Sequence, residues 1–145
     1  MKVHKLSDAF HNLIKIIRTY PELSDVRFVR RYGTLPAENP VRGYLAACGI
    51  SEMKSAPRFL GADSPSDLTL CALTAAIDFY VPFGTKSADT ERKTAQICEG
   101  ILRADDRSLV TSVEVKDGAF DSDISAVSRR ILVKMEAYVS GEDEL

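Results

Sequence analysis

The chain has 145 residues and a formal net charge of −2 at pH 7. A chain of this length forms one domain that buries about two-thirds of its unfolded surface, so its core needs no metal or disulfide. The composition, 45% hydrophobic and 28% charged, excludes the disordered, collagen-like and coiled-coil classes. The slight acidic excess offers no general attraction to nucleic acid.

Neither a membrane span nor a secretion signal is predicted. The longest apolar stretches are shorter than the roughly 20 residues of a membrane helix, and Met1–Ser7 leads into no apolar signal core. Cys48, Cys71 and Cys98 are odd in number, widely spaced and set among apolar residues. We therefore expect reduced core thiols in a protein that stays in the cytoplasm where it is made.

The start of the chain predicts a helix followed by two strands. Leu6–Tyr20 carries apolar residues at helical spacing, with Ser7 as a candidate cap and Pro21 as the stop. Asp25–Tyr32 alternates apolar and polar residues, which indicates a strand with one half-polar face. Val41–Lys54 is a second extended segment. The residues expected to face inward from the helix are Leu6, Phe10, Leu13, Ile14 and Ile17.

Loops are predicted on both sides of the second strand. Leu35–Pro40 holds two prolines and an asparagine, and Pro57–Asp67 is rich in Gly, Asp, Ser and Pro. Within the strand, Gly43 and Gly49 are expected to weaken or bend it. We expect Pro57–Asp67 to be exposed and to tolerate insertions.

The strongest strand signal is Leu68–Val81, which ends at Pro82. One face is apolar and the other only partly polar, which predicts a central strand covered on both sides. Ser87 or Asp89 can cap a second helix that runs to about Ala104. Its predicted inward stripe is Ala88, Thr94, Ala95, Cys98, Ile101 and Leu102.

Two final strands complete the predicted fold. Leu109–Lys116 and Ile124–Val139 both alternate, and Asp117-Gly118 is a turn dipeptide between them. The acidic tail, residues 140–145, is expected to fray. We predict one α+β domain over residues 1–145, an antiparallel or mixed sheet of about five strands with two helices packed on it, in the order α-β-β-β-α-β-β.

No arrangement of residues predicts catalysis, a cofactor or a metal. His4 and His11 lack the spacing and the acidic partner of a helical zinc site, and no cysteine has a CxxC partner. Gly84-Thr85-Lys86-Ser87 lacks the full phosphate-loop pattern and is better explained as a strand-to-helix turn. Asp105 and Asp106 end the second helix and are expected to be solvated. We therefore expect a protein that is not an enzyme.

Several segments resemble a known family. They are Tyr44–Met53 (YLAACGISEM), Leu60-Gly61 before a polar loop, Leu73–Gly84 (LTAAIDFYVPFG), Ile97–Leu102, and Arg130–Tyr138 (RILVKMEAY). Together they resemble tail terminator, or tail completion, proteins of long-tailed phages and prophages of Gram-positive bacteria. The resemblance spans about Tyr44 to Val139, and its motifs are structural.

The resemblance implies a fold of a sheet plus two helices and a homo-oligomeric ring, usually a hexamer. Such a ring caps the tail tube, ends tube polymerisation and joins the tail to the head. The implied partners are further copies of the chain, the tail tube protein and a head-completion or connector protein. No membrane partner and no specific nucleic-acid binding are implied, although DNA passes through such a ring. The implied location is the head-tail interface of a virion assembled in the host cytoplasm.

Two sets of residues are candidates for contacts. Asp78, Tyr80, Pro82 and Phe83 are the candidate subunit interface, since aromatic residues at a strand end without a covering helix favour interfaces. Ordinary core and edge packing explains them equally well. The candidate basic residues facing the ring lumen or a partner are Arg27, Arg31, Arg130 and Lys134. Solvated strand faces are the simpler explanation for these basic residues.

Two other functions remain open. A head-tail connector, neck or baseplate protein would have a similar size and topology. A small α+β ligand-binding module or enzyme, with a site formed only in three dimensions, belongs to another class. A deep polar pocket with shifted pKa values would favour the ligand-binding module, whereas a flat, self-complementary surface would favour the assembly proteins.

Overall fold

The computed structural model describes residues 3–31, 43–58, 68–118, 120–121 and 126–140. The elements are α1 (Val3–Ile17), a 3-10 turn (Pro21–Leu23), β1 (Val26–Arg30), β2 (Tyr44–Arg58), β3 (Leu68–Pro82), α2 (Ser87–Ala104), β4 (Val110–Lys116), β5 (Phe120–Asp121) and β6 (Ala126–Ser140). The predicted α+β class, with a mixed sheet and two helices, is confirmed. The order differs in detail from the prediction, because the two-residue strand β5 lies between β4 and β6.

The strands form one sheet in the order β1-β2-β3-β6-β4, with β5 paired to β6. β1 runs parallel to β2, and the other pairs are antiparallel. β3 is therefore central, as its apolar alternation predicts. One row of paired residues crosses the whole sheet through Val29, Ala47, Asp78, Arg130 and Lys116.

Both helices pack on the same face of this sheet. The five apolar residues predicted to face inward from α1 are all buried. They share one core cluster with Ile97 and Ile101 of α2 and with the odd-numbered residues of β3 from Cys71 to Val81. The hydrophobic core thus lies between one helical layer and one sheet face.

The prediction that β3 is covered on both sides is wrong for the described residues, since no described helix packs on its second face. Ala76 and Asp78 are nevertheless buried there, among the side chains of neighbouring strands. We call this second face the open face. Its described residues include Arg27, Val29, Arg31, Leu45, Ala47, Gly49, Glu52, Lys54, Leu70, Ala72, Thr74, Ala76, Asp78, Tyr80, Ser112, Glu114, Lys116, Ala126, Ser128, Arg130, Leu132, Lys134, Glu136 and Tyr138.

The inward stripe of α2 differs from the prediction. Thr94 and Ile101 are buried as expected, Cys98 is half-buried, and Ala88, Ala95 and Leu102 are exposed. The buried residues are Thr90, Thr94, Ile97, Gly100, Ile101 and Ala104. At Gly100 an added Cβ would be in ordinary contact, 3.4 Å from Leu23 Cδ1. The core-facing side of α2 thus includes Ile97 and excludes Leu102.

Several predicted element ends are also corrected. α1 begins at Val3, so Ser7 lies inside the helix and does not cap it. Ser87 is the first residue of α2, whose N-cap position is Lys86 without a side-chain cap. Pro57, predicted in a loop, lies in β2 and pairs with Thr69 of β3. β1 pairs with β2 only as far as Cys48. Pro57 lies beyond the end of this pairing, so its missing N–H removes no hydrogen bond to β1.

Other expectations lie outside the described residues. These are the loop Leu35–Pro40, most of the loop Pro57–Asp67, and the acidic segment Gly141–Leu145. The described helices include none that is both long and apolar enough to cross a membrane.

Gly118 is packed against the backbone of β6. A Cβ at this position would lie 1.0 Å from the carbonyl oxygen of Ser128. We expect Gly118→Ala to lower the free energy of unfolding by at least about 2 kcal/mol, because a backbone clash cannot be relieved by a side-chain rotation. Gly43→Ala is the matched control, since nothing lies within 4 Å of its added Cβ. Thermal unfolding checks both variants, and equal melting temperatures would contradict the placement of Gly118.

Candidate functional site

Asp78 lies at the centre of the open face and binds two arginines. Its Oδ2 accepts a hydrogen bond from Arg31 Nε at 2.8 Å, and its Oδ1 accepts one from Arg130 Nε at 2.8 Å. The side chain of Asp78 is only 13% exposed. Because each carboxylate oxygen serves a different arginine, Asp78 links the end of β1 to β6.

Small residues on β2 make this link possible. β2 lies between β1 and β3, and its open-face residue nearest Asp78 is Ala47, followed by Gly49. Neither carries a side chain large enough to block Arg31 from reaching across the strand. The Arg31 backbone N–H donates to the carbonyl oxygen of Cys48 at 2.8 Å, which places Arg31 beside β2 just after β1 ends.

The two ion pairs differ in solvent access. Arg31 is almost as buried as Asp78, whereas the Arg130 side chain is 50% exposed. A pair shielded from water interacts more strongly and is screened less by salt than an exposed one. One carboxylate thus accepts hydrogen bonds from two guanidinium groups, and that of Arg130 is the more exposed of the two.

A second charged cluster lies toward β4. Glu114 is placed between two lysines, with 3.6 Å from Lys134 Nζ to its Oε1 and 3.6 Å from Lys116 Nζ to its Oε2. All three side chains are roughly half exposed, so each pair contributes little to stability. Lys134, predicted as a partner-facing cation, therefore has an acidic neighbour in its own subunit.

The aromatic candidates lie toward the end of β3. Tyr80 packs with Val29 against Leu45 and Ala126 on the open face. Pro82 is half-buried at the last position of β3. Phe83 follows it in the turn before α2 and is 72% exposed.

The structure brings the two candidate sets together. Arg27, Arg31, Arg130 and Lys134 all belong to the open face, and Asp78 and Tyr80 belong to it as well. Pro82 and Phe83 lie where β3 leaves the sheet. A polar groove of about 460 Å³ crosses this face, with Asp78, Tyr80, Lys116 and Arg130 among its lining residues.

One structural carboxylate contradicts its predicted role. Asp105, expected to be solvated, is half-buried and accepts hydrogen bonds from the backbone N–H groups of Leu109 at 3.0 Å and Val110 at 2.9 Å. These bonds hold the turn between α2 and β4. An aspartate directly after a helix and a few residues before a strand is the sequence signal for such a turn.

The thiols have no disulfide partner. Cys48 and Cys71 are buried and Cys98 is half-buried. Burial, with a smaller effect from Asp78, raises the pKa of the Cys48 thiol to about 12. Cys48 is therefore protonated at neutral pH. Within the described ranges, no three His, Cys, Asp or Glu side chains come together as a possible metal site.

His11 is half-buried beside Phe10, and its pKa lies below the usual 6.5 because of burial and then because of Arg30. The folded state therefore binds fewer protons than the unfolded chain, so this contribution to stability is present above pH 6.5 and is lost as the pH falls. We expect the fall in melting temperature from about pH 7.5 to about pH 5.5 to be smaller in His11→Gln than in the wild type. Thermal melts of both proteins at both pH values test this, and identical falls would contradict it.

No family model and no curated protein sequence matches the chain.

Proposed function

We propose that this chain is a structural subunit of a phage tail. Copies of it form a ring that caps the tail tube, ends tube polymerisation and provides the surface that joins the head. The resemblance of Tyr44–Met53 and Leu73–Gly84 to tail terminator proteins supports this function, and these segments form most of β2 and β3.

The observation that carries the proposal is the difference between the two faces of the sheet. Both helices pack on one face, whereas the described side chains of the open face include six basic and four acidic ones. Such a subunit presents surfaces of different chemistry in different directions.

A terminator needs this property. A tube grows because each ring presents the surface that binds the next ring, so growth is open-ended until a different ring binds the end. The terminating ring must bind the tube through one surface and offer the next subunit a surface that does not match. A chain with helices on one face of its sheet and charged strands on the other meets this requirement, and no catalytic step is involved.

The test is deletion of the gene from its phage or prophage. We expect DNA-filled heads without tails beside tails of irregular and often excessive length, seen by electron microscopy of the lysate. Normal, infectious, full-length particles would rule the function out. Attached tails of normal length with a defect elsewhere would instead favour a neck or baseplate subunit.

Complementation of the deletion tests the surface. Wild type should restore infectious particles, and so should Lys86→Glu/Arg92→Glu, which changes exposed cations on and beside α2. The matched variant Lys116→Glu/Lys134→Glu reverses two half-exposed cations of the open face. We expect this variant to fold normally and to restore at most about a tenth of the infectious particles. Its two new glutamates would repel a partner surface that is complementary to the lysines of the open face. Full restoration would show that the open face makes no contact.

A further inference from the structure

A second groove lies away from the open-face clusters, between α1 and the sheet edge formed by β1. Its volume is about 570 Å³, and it is lined by His11 and Lys15 of α1, by Arg18 just after α1 and by Arg30 of β1. We call it the basic groove. Among the described residues that line it, Asp8 is the one acid.

The three basic side chains of the groove form no ion pair with a described residue. In the described part of the chain, Lys15, Arg18 and Arg30 form no ion pair, whereas Arg31, Lys93, Arg103 and Arg130 all do. The pKa of His11 in the groove is lowered first by burial and then by Arg30, with Asp8 acting in the opposite direction. The groove is thus suited to an anionic ligand. Its floor, which includes Ile14 and Phe28, adds an apolar surface.

The chain itself contains a matching segment. Three consecutive acidic residues, Glu142, Asp143 and Glu144, follow β6, and a leucine comes after them. We propose that the basic groove binds the acidic segment 142–144 of a second copy of this chain. This inference deepens the proposed ring assembly and rests on it.

The distance between the groove and the end of β6 requires the second copy. β6 ends at Ser140, which pairs with Leu68 of β3, whereas Cys48 in the groove pairs with Ile77 of β3. The separation from Leu68 to Ile77 is about 30 Å along the strand. The four residues from Ser140 to Glu144 span at most about 14 Å. The acidic segment therefore cannot reach the groove of its own subunit.

The groove also offers backbone contacts. β1 is an edge strand of the described sheet, with β2 as its one neighbour there. An extended segment beside such an edge can gain main-chain hydrogen bonds, while its acidic side chains meet Lys15, Arg18 and Arg30. Because segment and groove lie on different parts of the subunit, the contact is head-to-tail, and contacts of this kind form a ring when the rotation between neighbouring subunits closes.

A fluorescent peptide with the sequence of residues 140–145, SGEDEL, tests the contact directly. It is added to the full chain carrying Glu142→Gln/Asp143→Asn/Glu144→Gln, so that no acidic tail competes, and binding is followed by anisotropy. We expect saturable binding that weakens as salt is raised. We expect about tenfold weaker binding after Lys15→Gln/Arg18→Gln/Arg30→Gln, which removes three exposed cations.

The matched control Lys86→Gln/Arg92→Gln/Arg107→Gln removes the same charge from exposed positions outside the groove. It should bind the peptide like the parent. No saturable binding, or equal losses in both triple variants, would overturn the inference. Tighter binding of a single-stranded oligonucleotide than of the peptide at the same three cations would overturn it in favour of a nucleic-acid site.

The peptide assay and the gene deletion test the two proposals independently. If the deletion gives unattached heads and the peptide does not bind, the proposed function stands and the docking is wrong. If the deletion leaves normal particles, the proposed function is wrong whatever the peptide does.

Discussion

Ile77→Asp is expected to abolish soluble folding. Ile77 is fully buried at the centre of β3, in the core cluster beneath the helices. An unpaired carboxylate at such a site costs several kcal/mol, which is comparable with the about 5–15 kcal/mol that stabilises a typical domain. Soluble yield and circular dichroism of the purified variant are the measurements.

Met53→Asp is the matched control for Ile77. Met53 lies in the neighbouring strand β2, but its side chain is 54% exposed. The same carboxylate there remains hydrated, so we expect near-normal yield and a change in unfolding free energy of about 0.5 kcal/mol or less. Equal yields and equal melting temperatures of the two variants would show that β3 is not the core strand.

Asp78→Asn is expected to lower the free energy of unfolding by about 2–4 kcal/mol. Asparagine keeps the shape of the side chain but only one acceptor oxygen, so the loss reports the missing charge together with one hydrogen bond, since the new amide nitrogen faces an arginine donor. Arg31 would also remain largely buried beside a neutral residue 78, and removing one partner of a buried pair costs much more than the pair itself contributes. The half-exposed Arg130 reduces the expected loss below that of a fully buried pair.

Asp89→Asn provides the comparison. It breaks the pair between Arg92 Nη2 and Asp89 Oδ1 at 3.1 Å, in which both side chains are well exposed. We expect a loss of at most about 1 kcal/mol. Urea unfolding of both variants at low and high salt separates the two effects, since salt screens the exposed pair first. Equal losses would mean that the Asp78 cluster is no more than a surface ion pair.

Local periodicity accounts for the elements that could be predicted. In α1, a five-residue apolar stripe at helical spacing had only one surface to bury, and every member is buried. In β3, the alternation from Cys71 to Val81 correctly grouped the apolar residues of one face, although it did not indicate that the helices cover this face alone. In both elements the pattern is complete within one segment, so no distant residue is needed to interpret it.

α2 and β2 show where local patterns failed. On α2 the positions Leu102 and Ile97 are both apolar, yet Ile97 belongs to the core cluster and Leu102 is exposed. On β2, Pro57 was predicted in a loop, yet it pairs with Thr69 beyond the end of β1. Both outcomes depend on a neighbour that is distant in sequence.

The candidate site was likewise predictable from the sequence only in part. The residue types of Asp78, Tyr80 and the basic positions were visible in the sequence, as two unrelated sets of candidates. Their shared location depends on the strand order β1-β2-β3-β6. This order brings Asp78 to two arginines that are 47 and 52 positions away in the sequence, Arg31 and Arg130. No spacing rule in one sequence encodes strand order across a sheet.

The sequence by itself determined the class of fold, the central strand and the face of α1 that is buried, because periods of about 3.6 and 2 residues are properties of single elements. Only the tertiary structure decided which face of the sheet stays free of helices, and that Arg31 crosses β2 to reach Asp78. The physical reason is that small residues, here Ala47 between Arg31 and Asp78 and Gly118 against β6, determine how closely distant segments approach. Such residues carry no hydrophobic pattern, and their effect appears only when the partner is in place.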